Sequence, residues 1–213
     1  MRATRTVSVA RKGRPAAEDA RKKVAKVLAV ATNEFSELGY RAVTMRGVAE
    51  KARVSTRTLY NRYADKLSLY TACLDFGAQA FPQPAPAPGE SPDAVLQRYA
   101  VEIVQALSSA SSLRLSMLIY REGSDFPELL RAGEEHEDRF LLQPLASYLR
   151  HLDIESEGSD ERAKLFISMA LSEWQRRIAY RRRTPKEDDV NHHAAFVVKI
   201  FLHGADPHGG KAG

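Results

Sequence analysis

Apolar residues return every three or four positions along most of this 213-residue chain, and nowhere do they alternate long enough to predict a strand. The stripe Val24, Val27, Leu28, Ala31, Phe35 and Leu38 predicts a first helix over 17–38, which Gly39 stops. Behind Thr44 as N-cap, Met45, Val48, Ala49 and Ala52 predict a short second helix. The period breaks at Ala52-Arg53-Val54. Ser55 then caps a third helix whose Leu59 and Tyr63 face inward at i, i+4, leaving Thr56, Arg57, Thr58 and Tyr60 outside. Asp65 caps a fourth helix over 65–81, with Leu67, Tyr70, Leu74, Ala78 and Phe81 on one side.

Residues 82–92, PQPAPAPGESP, hold five of the ten prolines, so this stretch is expected to be an extended loop. Beyond it the helical period resumes over 93–109 (Val95, Tyr99, Ile103, Leu107), 112–122 (Leu115, Leu118, Ile119) and 126–152 (Phe140, Leu141, Leu145, Tyr148, Leu152). It continues over 159–182 (Phe166, Ile167, Ala170, Leu171, Trp174, Ile178) and 187–203 (Ala194, Val197, Val198, Phe201). The fold class is therefore all-α. A three-helix domain over 17–64 is joined by the fourth helix and the proline-rich loop to a larger helical domain over 93–205, with a flexible tail at 206–213.

Charge sharpens this division. The net charge of +5 conceals a basic first part and an acidic second: residues 1–70 carry a net +10 and residues 71–213 a net −5. Residues 1–16 hold Arg2, Arg5, Arg11, Lys12 and Arg14 without periodicity and read as a disordered basic arm. One cysteine, Cys73, excludes an intramolecular disulfide and a Cys-rich zinc site, which fits a reducing cytoplasm. No apolar run approaches the ~18 residues of a membrane helix.

Two short helices joined by a tight turn, the second showing Arg, Thr and Tyr beside a basic arm, describe a helix-turn-helix DNA-binding unit. Ordered along the chain stand Gly39-Tyr40, Thr44, Ala49, Ala52, Val54-Ser55, Thr58-Leu59-Tyr60, Tyr63 and Lys66. In these residues the segment from about 18 to 80 resembles the DNA-binding domain of the TetR (tetracycline-repressor) family. Arg53 stands where that family's turn usually has Gly, which implies a different or mildly strained turn. Arg57 stands where Gly is common. The stretch Tyr120-Arg121-Glu122-Gly-Ser-Asp-Phe126-Pro127-Glu128-Leu129 looks like the family's junction between helices six and seven. Phe201-Leu202-His203-Gly204 fits its C-terminal pattern. The resemblance implies a homodimer, built through the last two long helices as a four-helix bundle, and a small-molecule effector in the second domain.

The candidate DNA contacts follow. Arg57, early in the third helix, either pairs bidentately with guanine or clamps a phosphate. Thr56 and Thr58 can meet a thymine methyl or a phosphate. Tyr60 matches the family's usual phosphate contact and Asn61 supports it, and Ser55, at the N-cap of the third helix, is counted with the DNA contacts. Thr44 and Arg46 open the second helix, where free amides can meet backbone oxygens. Lys66 is expected at a phosphate because it opposes the dipole at the start of helix four. Lys12-Gly13-Arg14-Pro15 can lie in a narrow minor groove or touch phosphates alone.

For an effector pocket the candidates are large residues on inward stripes: Tyr99, Met117, Tyr120, Phe140, Gln143, Phe166 and Trp174. No Gly-x-Ser-x-Gly elbow, phosphate-cradling Gly-rich loop or His-Glu-x-x-His motif occurs, so no catalytic residue, cofactor or metal site is expected. Glu134, Glu135, Glu137 and Asp138 read as a solvated helix face. The expected function is a repressor that binds a near-palindromic operator and is released by an effector. A sequence-tolerant architectural DNA binder is the alternative.

Overall fold

A computed structural model describes residues 14–78, 81–108, 110–152, 158–180 and 186–204. Among them all regular structure is helical: α1 (Arg14–Ala42), α2 (Met45–Ala52), α3 (Thr56–Tyr60), α4 (Lys66–Ala78) and α5 (Pro92–Leu107). Then come α6 (Ala110–Glu122), α7 (Pro127–Glu137), α8 (Gln143–His151), α9 (Ser159–Ala179) and α10 (Glu187–His203). The all-helical expectation holds. Helix α1 starts three residues ahead of the expected position, because Pro15 lacks the N–H that a first turn leaves unpaired anyway. Its regular part ends at Gly39, whose φ of 83° turns the backbone out of the helix.

Two apolar cores organise the chain. The first gathers Val27, Leu28, Ala31 and Phe35 of α1, the inward faces of α2 and α3, and Leu69, Tyr70, Cys73 and Leu74 of α4. Leu115, Leu118 and Leu129, from α6 and α7, complete it. The second core lies among α5, α8, α9 and α10, around Tyr99, Ile103, Leu145, Phe166 and Val197. The first core thus extends beyond the proline-rich loop into the second half of the sequence. The Tyr70 hydroxyl donates to the Leu115 carbonyl at 2.9 Å and its ring packs edge-on against Phe35 and Tyr40, fixing α4 between the two halves.

Two segments differ from the expected pattern. The single helix expected over 126–152 is divided by a wide turn at Asp138–Leu142, where Gln143 donates its N–H to the Asp138 carbonyl, five residues back. Pro144 supplies the cause: it has no N–H for the Phe140 carbonyl and its ring crowds that oxygen, so the ladder widens just before it. The proline-rich stretch is strapped to α5. Arg98 donates to the Ala85 carbonyl at 2.8 Å and pairs with Glu90 at 3.0 Å, and the Glu90 carboxylate also accepts from the Ala87 N–H. These bonds hold the Glu90 carboxyl below its ordinary range.

Candidate nucleic-acid interface

The reading head is assembled from caps and one half-buried ion pair. Thr44 accepts the Gly47 N–H at 3.1 Å, starting α2 with Met45, Val48, Ala49 and Ala52 turned into the core. Glu34 of α1, almost fully buried, takes Lys51 at 2.6 Å and pins α2 against α1. The turn passes through Arg53 in the left-handed region (φ 58°, ψ 46°), where its N–H still closes on the Ala49 and Glu50 carbonyls. A side chain there costs roughly 1–2 kcal/mol relative to glycine, so the strained turn implied by Arg53 is present.

Ser55 then accepts the Thr58 N–H at 3.0 Å, and the two hydroxyls share a 2.6 Å hydrogen bond. This rigidifies the first turn of α3. Leu59 and Tyr63 are buried beneath it, while Thr56, Arg57, Thr58, Asn61 and the half-exposed Tyr60 stay in solvent. Thr44 and Arg46 are exposed at the start of α2, and Arg21, Lys22, Lys23 and Lys26 are exposed along α1. The result is a small, polar, cationic face on a rigid frame, able to donate to phosphates and base edges. Lys12 lies outside the described residues, and Arg14 is the first residue of α1.

Lys66 is placed differently from its expected phosphate contact. Its ammonium donates to the Tyr40 carbonyl at 2.8 Å and lies 4.4 Å from the centre of the Tyr40 ring. Burial holds its pKa below the ordinary lysine value. There it serves the corner between α1 and α2, satisfying carbonyls that the break at Gly39 leaves without helical partners.

The same corner is grasped from the far domain. Glu122, at the end of α6, accepts the Tyr40 N–H at 3.2 Å and the Arg41 N–H at 3.0 Å. Asp125 pairs with Arg41 at 2.7 Å, and Phe126 packs edge-on against Tyr40. A Cβ on Gly39 would collide with the Glu122 carboxylate, so the glycine is required both by its φ and by this close approach. Burial, with Glu128 and Asp65 nearby, pushes the Tyr40 hydroxyl up to about 12. The sequence shows both motifs that meet here, but no local pattern links residues 82 positions apart.

Behind this joint a cavity of about 270 Å³ opens between the two cores. Leu74 and Phe81, Leu115 and Ile119 of α6, Gly133 and His136 of α7, and Leu171 and Trp174 of α9 are among its walls. Of the residues expected at a pocket, Tyr120 and Trp174 line it and five do not. Tyr99 and Phe166 are fully buried in the second core, and the Tyr99 hydroxyl is used on the Leu141 carbonyl. Phe140 stacks beside His136 at 4.7 Å without reaching the space, exposed Gln143 donates to Asp138, and Met117 lies elsewhere on α6. Inward periodicity identifies core; it does not say where the core fails to close.

A helix-turn-helix carried by a three-helix head, joined to an all-helical second domain, is the architecture of a DNA-binding transcriptional regulator. Residues 27–73 match the family model of bacterial regulatory proteins, tetR family. This chain carries that family's DNA-binding domain and has the fold of TetR-family transcriptional regulators. It is similar to a putative TetR-family transcriptional regulator from Mesorhizobium loti, at 22% identity, covering 85% of this chain and 96% of that one, with a TM-score of 0.69. The same figures apply to the flavonoid-responsive regulator FrrA. A putative regulator from Syntrophomonas wolfei is 14% identical, with 89% and 100% covered and a TM-score of 0.67. No curated protein sequence matches the chain. Among the described residues no helix is long and apolar enough to cross a membrane.

Proposed function

We propose that the chain is a homodimeric repressor that reads a near-palindromic operator and is released by a small molecule, and that it is not an enzyme. The observation that carries this reading is the exposed Thr56-Arg57-Thr58 turn, stiffened by Ser55 and set on buried Leu59. In the complex Arg57 pairs with a guanine edge, Thr56 and Thr58 meet a thymine methyl or a phosphate, and Tyr60, Asn61, Thr44 and Arg46 hold phosphates. Lys12 and Arg14 follow the adjacent minor groove or its phosphates.

Pairing of α9 and α10 with their copies is supported by Leu165 and Phe196, large apolar side chains that stand 55% and 59% exposed on these two helices. Such a dimer sets the heads on half-sites ~34–36 Å apart or a multiple. The cavity is the effector site. A ligand there that fits one spacing of the heads better than another shifts operator affinity by that difference, and operator shifts ligand affinity equally. Helix α6 is suited to carry the shift, since it forms one cavity wall and bears Glu122 at the joint. Helix α4, which contributes Leu74 to the cavity, moves with it. That a flavonoid-responsive regulator has this fold supports small-molecule control.

The test is selection of bound sequences from random duplex DNA, followed by sedimentation of the selected complex. A two-fold site occupied by two chains, with Phe196→Glu monomeric and weakly bound, is the expected result. Enrichment of no sequence, or binding of one chain per site, refutes the proposal.

A further inference from the structure

The cavity's polar groups are one-sided in charge. Among the described residues its lining includes Glu134 and Glu137 and no lysine or arginine. Glu134 and Glu137 stand three residues apart on the same helix and have no cationic partner among the described residues. Desolvation, and after it the neighbouring Glu134 charge, raise the Glu137 pKa, and both carboxylates stand exposed at the cavity's rim. His136 adds no positive charge: burial lowers its pKa, one ring nitrogen is engaged by the Leu74 carbonyl, and Nε2 has no partner. Arg139, the cation beside His136, is committed to Asp75. Around these groups the walls are aliphatic and aromatic, with Phe81, Tyr120 and Trp174 contributing rings.

We infer that the cavity takes a hydrophobic organic cation, such as a protonated amine on an aromatic or aliphatic body, with the charge at the Glu134–Glu137 edge and the body against Trp174 and Leu171. This rests on the cavity being the effector site and adds the class of effector. A cation there offsets the two carboxylate charges and faces ring quadrupoles, while an organic acid meets two like charges and no counter-charge among the described lining. At about 270 Å³ the space lies near the lower end of small-molecule sites (~300–1,000 Å³), so the ligand is small.

Trp174 is the chain's single tryptophan and lines the cavity, so all tryptophan emission comes from one residue on its wall. Three probes of matched size, phenylbutylamine, phenylbutanol and phenylbutyrate, are titrated into the full-length protein at neutral pH, with and without operator DNA. The amine is expected to change Trp174 emission saturably and to bind about tenfold more tightly than the acid. The double variant Glu134→Gln, Glu137→Gln should close the gap between amine and acid. An acid that binds as tightly as the amine, a gap that survives in the variant, or no saturable change with any probe overturns the inference. If the amine binds with the Glu-dependent preference but operator affinity stays constant, the ligand class stands and the effector reading falls. If the alcohol or acid releases operator and the amine does not, the effector reading stands and the cation falls.

Discussion

The reading head and the cavity are built by opposite means. In the head, polar side chains are exposed on a frame closed by neighbours in sequence: Thr44 on Gly47, Ser55 on Thr58, Asp65 on Ser68. Around the cavity, apolar side chains from helices distant in sequence approach and stop short, leaving space between the two cores. The first is a local device that tolerates solvent. The second is a non-local one whose shape depends on how α4, α6, α7 and α9 are held. Glu122 connects them, because the helix that walls the cavity ends with its carboxylate on the head's backbone.

The comparison can be broken most strongly from inside the head. Phe35 is fully buried among Tyr40 and Tyr70, and Phe35→Ala should cost about 3–5 kcal/mol in urea unfolding and abolish DNA binding. Next comes the joint. Glu122→Gln keeps the shape and one acceptor but loses the charge, and should cost about 1.5–3 kcal/mol, with faster hydrogen exchange at the Tyr40 and Arg41 amides. Unchanged exchange there would show that the clasp does not hold the corner.

Smaller effects sharpen the local side. Ser55→Ala should cost about 1 kcal/mol through the lost cap. Arg53→Gly should instead gain about 1 kcal/mol by relieving a left-handed backbone. Both are read in the same denaturation series, and equal signs would contradict the cap-and-turn account. On the cavity side, burial lowers the His136 pKa, so the unfolded chain binds more protons than the folded one between the folded value and the ordinary 6.5. Its contribution is full above pH 6.5 and is lost as pH falls through that window. His136→Gln should flatten the fall in stability between pH 7 and 5.

Legibility in the sequence follows the same divide. The caps, the inward Leu59 and Tyr63, and the outward Thr56, Arg57 and Tyr60 could all be read from spacing, because one helical turn determines them. Helix α10 falls where its period places it, over Glu187–His203. Pro144 was equally local, yet its widened turn is masked by apolar spacing that continues across it. Lys66 shows the limit: its position at a helix start suggests an anion, while its partner is a carbonyl 26 residues earlier. The cavity was the least legible, since a gap between cores is a property of helices meeting, and Tyr99 and Phe166 carry the same stripe signature as Trp174.

The central claim, that the α3 face reads base edges, is tested most directly by the specificity ratio. Affinities of wild type, Arg57→Ala and Arg21→Ala are measured for the selected duplex and for a scrambled one at fixed salt. The account predicts that Arg57→Ala lowers the ratio by an amount worth about 1–3 kcal/mol with little change on scrambled DNA, while Arg21→Ala weakens both duplexes alike. Equal losses on both duplexes for Arg57→Ala would contradict it and make α3 a phosphate clamp.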